Sequence, residues 1–119
     1  MSTEKNKDVV RRLNLEVIPG HQLEALGEVL DPGYENHGGT KAPWATIVQG
    51  LDKVKAAFGG FDPTFRVTIE DIIAEGDKVA IRLIWYQDGK PIANAMTFYR
   101  LSGGKIVDDW YCYTYLDKE

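Results

Sequence analysis

The residues of this 119-residue chain that can do chemistry are few: two histidines, one adjacent pair of aspartates, and a dense set of tyrosines and tryptophans. His37 is the first candidate, because a neutral imidazole serves as general base or hydrogen-bond donor near pH 7. Its plainer role would be to satisfy loop backbone groups before Gly38-Gly39. His21 follows the Pro19-Gly20 break and reads as an exposed first-turn residue. Asp108 and Asp109 are the second candidates. Successive strand residues point to opposite faces, so only one of the pair can face a cavity. By that alternation Asp108 shares a face with Ile106, Trp110 and Cys112, and Asp109 with Val107, Tyr111 and Tyr113. A carboxyl group in an apolar cavity has a raised pKa, which suits it to acid or base work. A carboxylate near the Gly103-Gly104 turn would instead be a surface group. Trp85, Tyr86, Tyr99, Trp110, Tyr111, Tyr113 and Tyr115 crowd the last stretch of chain. Core packing accounts for most of them, but buried tyrosine hydroxyls need partners. Tyr34, Trp85, Trp110, Tyr111 and Tyr113 are therefore the expected contacts to a flat, partly polar molecule.

Other chemistries find little support. Two distant histidines, with no histidine-carboxylate spacing on a helix, give no metal site, and no cofactor is expected. Gly38-Gly39 and Gly59-Gly60 lack the lysine and the strand-to-helix setting of a phosphate loop. The formal net charge is −4 with scattered basic residues, which argues against nucleic acid. No apolar run approaches the roughly 20 residues of a membrane span. The polar start MSTEKNKDVVRRL lacks the apolar stretch of a secretory signal, so a cytoplasmic location is the default expectation. The single cysteine, Cys112, excludes an internal disulfide.

The elements that must position these groups divide the chain in two. Val10, Leu13 and Val17 put one apolar face on a helix from Glu4 to Ile18, which Pro19-Gly20 stops. Leu23, Leu26 and Leu30 mark a second helix from about His21 to Leu30, ended by Asp31-Pro32-Gly33. Tyr34-Glu35-Asn36-His37 then leads into a loop reaching Gly50, and Leu51, Val54 and Phe58 mark a third helix. From Phe65 the period changes to two. Strands are expected from Phe65, over Lys78 to Gln87, over Pro91 to Leu101, and from Lys105 to about Leu116, with Asp88-Gly89 a two-residue hairpin turn. Helices first and strands after give a single α+β domain, residues 1–119, with three N-terminal helices packed on an antiparallel sheet. Both faces of that sheet carry apolar residues, so its outer face is expected to pack on a second copy as a homodimer.

Several segments together resemble a known family. They are Glu4-Lys5-Asn6-Lys7 through Arg11-Arg12-Leu13, then Tyr34-Glu35-Asn36-His37, then Ile69 through Glu75-Gly76-Asp77-Lys78-Val79, then Phe98 through Gly104-Lys105-Ile106-Val107-Asp108-Asp109-Trp110. They resemble the SnoaL-like polyketide (ester) cyclases of the nuclear-transport-factor-2-like superfamily, which also holds ketosteroid isomerase and limonene epoxide hydrolase. The resemblance implies a cone-shaped α+β barrel with a strongly curved sheet, a pocket inside the cone, and frequent dimerisation through the sheet. It places a histidine at the pocket rim, at His37, and an acid at Asp108. The limonene epoxide hydrolase analogy instead uses the face of Tyr111, where Asp109 would stand. A Tyr-plus-Asp pair such as Tyr111 with Asp109 would act as in ketosteroid isomerase. The chain departs from the family where relatives carry aspartates after the final tryptophan: Tyr111 and Thr114 stand there. Its hairpin from Trp85 to Pro91 is also short.

The expected function is a cofactor-free cyclase or isomerase moving a proton on a hydrophobic cyclic or carbonyl substrate. Asp108 or Asp109 would carry the proton, His37 would assist, and a tyrosine would stabilise an oxyanion. The alternatives are a non-catalytic binder of a small lipophilic molecule, or a dimeric interaction module.

Overall fold

Six strands lie in one sheet in the order β2-β1-β6-β5-β4-β3, with three helices packed against it. The computed structural model describes residues 2–38 and 48–116. Helix α1 (Thr3–Arg12) is capped by the Ser2 hydroxyl, which accepts from the Lys5 amide at 3.2 Å. Glu4 in its first turn and Arg11 and Arg12 in its last complement the helix dipole. The chain then widens into a π-helical turn over Leu13–Val17, which buries Leu13, Asn14 and Val17 together.

The second helix is shorter than its leucine spacing predicts. A 3₁₀ turn at Leu23–Ala25 leads to α2 (Leu26–Val29), and the chain is already extended at Leu30. Asp31-Pro32-Gly33, expected to end a helix, sits inside strand β1 (Leu30–Asn36), as does most of the segment expected to lead into a loop. Local turn chemistry is present there, since Gly33 N–H donates to Asp31 Oδ2 at 2.8 Å. The strand forms anyway because it has a parallel partner in β6 (Lys105–Tyr115), with Leu30 beside Ile106 and Asn36 beside Asp109. The expected antiparallel meander is thus part of a mixed sheet. The loop expected up to Gly50 falls largely on residues 39–47, outside the described residues. Strand β2 (Val48–Gln49) and helix α3 (Leu51–Gly59) follow.

Strands β3 (Arg66–Glu75), β4 (Lys78–Gln87), β5 (Lys90–Ser102) and β6 form the antiparallel part. Asp88 and Gly89 both adopt positive φ, 54° and 75°, as a two-residue hairpin with the native twist requires. One extra residue interrupts each ladder: Glu70 between β3 and β4, Ile92 between β4 and β5, and Val107 between β5 and β6. Such bulges bend and twist a strand, and three in a row bend this sheet around the helices. Its outermost strands, β2 and β3, do not pair with each other among the described residues, so the sheet is open.

The core lies between α1, α2, α3 and the inner sheet face, where Val10, Val17, Leu26, Leu30, Val54, Val79 and Ile106 are buried. The outer face leaves Ile73, Met96 and Phe98 exposed at 68%, 62% and 41%. No helix among the described residues is long and apolar enough to cross a membrane. Ile106 is fully buried where β1 meets β6, so Ile106→Ala is expected to cost about 2–5 kcal/mol of unfolding free energy, read from urea denaturation. A loss below 1 kcal/mol, on the order of a surface substitution, would mean that this seam is not packed as described.

Candidate active site

The bulge at Val107 decides which aspartate faces inward. Strict alternation puts Ile106 and Asp108 on one face, but Leu101 pairs with Ile106 and the next residue, Arg100, pairs with Asp108. Val107 is passed over, the phase inverts, and Ile106 and Asp109 both point to the interior. The expected grouping of Asp108 with Ile106 is therefore corrected, while its grouping with Trp110 and Cys112 stands. Asp109 is 5% exposed and sits beside Tyr99 in register.

Strand β1 then fixes Asp109 in place. The buried Tyr34 hydroxyl donates to Asp109 Oδ2 at 2.5 Å. The His37 amide donates to the Asp109 carbonyl at 2.9 Å, and the Tyr111 amide to the Gly38 carbonyl at 3.1 Å. Oδ1 of Asp109 is buried with no hydrogen-bond partner among the described residues. Burial pushes the Asp109 carboxyl up to about 7, against the lowering effect of the Tyr34 bond and of His37, with the neighbouring Asp108 charge adding to the rise. Tyr34 is held well above its ordinary value by burial first and then by the charge of Asp109. Asp109 thus exchanges a proton near neutral pH, whereas Tyr34 keeps its own.

Asp109 opens on a cavity of about 400 Å³ between the helices and the inner sheet face. Phe58, Phe61, Phe65, Trp85, Tyr111, Tyr113 and Tyr115 supply most of its wall. Its inner end is polar, with Asn14 Nδ2 donating to the Tyr99 hydroxyl at 2.9 Å and to the Val10 carbonyl at 2.9 Å. Tyr99 is raised by burial and by the charge of Asp109, in part offset by bonds from Asn14 and Thr97. Tyr111 is raised for the same two leading reasons. Both phenols therefore stay protonated and can donate.

The other expected residues gather elsewhere. His37 Nε2 lies 2.8 Å from Asp108 Oδ1, and the Arg100 guanidinium donates to Asp108 Oδ2 through Nε at 2.8 Å and a terminal nitrogen at 2.5 Å. The His37 ring stacks on Trp110 with centroids 4.8 Å apart. Burial alone would raise Asp108, but the bonds from His37 and Arg100 and the Arg100 charge outweigh it and hold the carboxyl below its ordinary value. Of the eight expected site residues, Asp109, Trp85, Tyr111 and Tyr113 line the cavity. Tyr34 reaches it through Asp109, and His37, Asp108 and Trp110 form the separate cluster behind β6. Glu35, His37 and Asp108 bring ligand atoms within 4.8 Å of one another, the one set able to take a metal ion found among the described residues. Sequence spacing offers no such set, because the parallel pairing of β1 with β6 creates it. Both Asp108 oxygens are already engaged there, so an ion would compete with His37 and Arg100.

Asn14, Tyr99 and Asp62 also line the cavity but are not among the eight expected site residues. Asn14 carries a readable signal, being a polar residue four positions after Val10 on an otherwise apolar helix face. Tyr99 belongs to the aromatic set of the last strands, but its inward face needs the strand register, and Asp62 carries no signal without the loop geometry.

Stability should carry the signature of Asp109. An unfolded aspartate titrates near about 3.9, so between there and about 7 the folded chain holds the extra proton. Its stabilising contribution is complete below the unfolded value and is lost as pH rises through the folded one. Asp108 has the opposite sign but is ionised in both states above pH ~5 and adds no slope there. Wild type is therefore expected to lose stability relative to Asp109→Asn as pH rises from about 5 to about 8, by at most ~1.4 kcal/mol per pH unit. Parallel urea titrations of the two proteins over this range would rule out the inward carboxyl.

Comparison with known proteins places the chain. A family model for the SnoaL-like domain matches residues 10–109. A protein from Acidithiobacillus ferrooxidans described as a polyketide cyclase shares the fold with TM-score 0.78 at 21% identity, covering 95% of this chain and 91% of its own. IdmH from Streptomyces antibioticus, also described as a polyketide cyclase, does so with TM-score 0.72 at 21% identity, covering 91% of each chain. A protein from Kribbella flavida described as a ketosteroid isomerase has TM-score 0.78 at 12% identity, covering 98% of this chain and 83% of its own. Comparison with curated proteins gives no match. The likeness in structure is one of fold, three helices on a curved α+β sheet; the match over residues 10–109 makes the chain a member of the SnoaL-like family.

Proposed function

We propose that this protein is a cofactor-free enzyme that moves a proton next to a carbonyl group of a hydrophobic cyclic substrate held in the aromatic cavity. The observation that carries this reading is the buried carboxyl of Asp109 in the wall of an apolar cavity, with Tyr34 holding Oδ2 and Oδ1 left without a partner among the described residues. A buried acceptor with no partner costs about 1–3 kcal/mol, and a substrate C–H or O–H presented to it relieves that cost. With its pKa near 7, Asp109 takes a proton and returns it at neutral pH without a strong energetic bias either way. Tyr111 and Tyr99, on the same wall, donate to the oxyanion that forms as the proton leaves. His37 acts through Asp108 and the backbone rather than on substrate. The relatives described as a polyketide cyclase and a ketosteroid isomerase support a substrate of this class.

A second reading, a protein that binds such a molecule without turning it over, is favoured by the pairing already present at other polar groups of the cavity. Asn14 is bonded to Tyr99, and Asp62 to Thr64 and Gln87. Deuterium uptake separates the two. Incubated in D₂O with a panel of aromatic and alicyclic ketones, the protein is expected to speed exchange at the carbon beside the carbonyl, followed by proton NMR. Asp109→Asn should cut that rate by about 10²–10⁴-fold. Exchange that survives the substitution would end the catalytic assignment of Asp109. Binding of a ketone without exchange would leave the binder.

We further propose that the outer sheet face, with Ile73, Met96 and Phe98 exposed beside Trp110, packs on a second copy of the chain. Sedimentation velocity at micromolar concentration should give a dimer, and Phe98→Glu should return it to monomer. A wild-type monomer would remove the proposal.

A further inference from the structure

The charge pattern of the cavity says more about its ligand than its shape does. Two of its described lining residues are aspartates, and none is lysine, arginine or histidine. The two carboxylates mark its two ends. Asp109 lies beside Tyr99, whereas Asp62 is bonded to Gln87, which pairs with Lys90 at the far end of β5. Asp62 is built into its loop, with Oδ1 accepting from the Thr64 amide at 2.7 Å and from the Thr64 hydroxyl at 2.5 Å, and Oδ2 from Gln87 Nε2 at 3.2 Å. Those bonds, Thr64 foremost, hold its carboxyl below the ordinary range, so it stays anionic. It has no ion-pair partner among the described residues. Arg66, the nearest basic residue in sequence, turns its guanidinium to the carbonyls of Pro19, Pro63 and Phe65.

Between the two carboxylates runs a chain of rings. Phe61 meets Phe65 edge-on at 5.4 Å, Phe65 meets Trp85 edge-on at 5.9 Å, and Trp85 lies 4.9 Å from Tyr113. Ring faces carry partial negative charge and attract cations, even at a solvent-accessible rim such as the Asp62 end. A wall of rings ending in an unpaired carboxylate is therefore a setting for an ammonium group. A carboxylate or phosphate brought into the same cavity would be desolvated with no cation among the described lining residues to meet it.

We propose that the cavity sorts its ligands by charge: it takes a flat aromatic molecule that carries a protonated amine, seats the ammonium among the rings at the Asp62 end, and refuses the anionic counterpart. This rests on the reading of the cavity as a ligand site and names the class of molecule that fits it. The reactive carbonyl side of such a ligand faces Asp109, at the opposite end from its ammonium.

Three probes of one ring system test this by isothermal titration calorimetry on the full chain: naphthylmethylammonium, naphthylmethanol and naphthoate. The ammonium is expected to bind about two- to fivefold more tightly than the alcohol, and naphthoate without saturation. Asp62→Asn, which keeps the acceptor for Thr64, should bring the ammonium-to-alcohol ratio towards one. Equal binding of alcohol and ammonium, or saturable binding of naphthoate, overturns the proposal. So does a ratio unchanged in Asp62→Asn. In each case ketone exchange that depends on Asp109 would still stand, so the charge preference and the catalytic reading fail separately. Absence of binding by all three probes, together with absence of ketone exchange, would remove both.

Discussion

A parallel pairing between β1 and β6 is the constraint on which the rest of the molecule depends. It brings Tyr34 to Asp109, clamps the carbonyl of Asp109 with the His37 amide, and seats Leu30 against Ile106 at the head of the core. Parallel strands need a long crossover, and here the whole antiparallel part of the sheet and α3 supply it. The pairing closes only when nearly all the chain is folded. The candidate site is thus assembled by long-range contacts, Tyr34 with Asp109 across 75 positions and Asn14 with Tyr99 across 85.

Asp108 and Asp109 show how strongly environment overrides identity. They are neighbours on one strand, with the same side chain. One is satisfied at both oxygens, by His37 and by Arg100, and its proton affinity falls. The other gets one hydroxyl and an apolar cavity, and its proton affinity rises. The backbone between them is a few ångströms long, so each field reaches the other group, and the Asp108 charge is itself one reason that Asp109 holds its proton. The side chains of the outer cluster act on the inner carboxyl through their charge, and the His37 amide through its bond to the Asp109 carbonyl.

Much of this was legible in the sequence. Three helices, four strands and the Asp88-Gly89 hairpin follow from period and turn chemistry, and the two-sided apolar sheet follows from alternation. What escaped did so for physical reasons. Asp31-Pro32-Gly33 has the composition of a helix stop, and only a partner strand far along the chain makes its surroundings extended. The bulge leaves no mark that local propensity can read, since Val107 is as good a strand residue as its neighbours. Without it the expected faces place Asp108 with Ile106, and the preference between the two aspartates cannot be drawn correctly. His37 was found as a reactive type in a suggestive place, but its placement behind β6 depends on the direction in which β1 runs.

Val107 has a consequence for how such a protein changes over generations. Substitution alters one wall residue at a time, and each must be tolerated by the packing around it. Gain of one further residue beside the bulge would shift β6 by one position against β5 and exchange its two faces at a stroke, turning Asp108, Trp110 and Cys112 towards the cavity and Asp109, Tyr111 and Tyr113 away, whereas loss of Val107 would only straighten the strand and leave both faces as they are. Length variation at one position is therefore a shorter route to a differently lined pocket than any series of point changes, and a scaffold with three such positions in its sheet has three places where reading frame, rather than side-chain identity, chooses the chemistry.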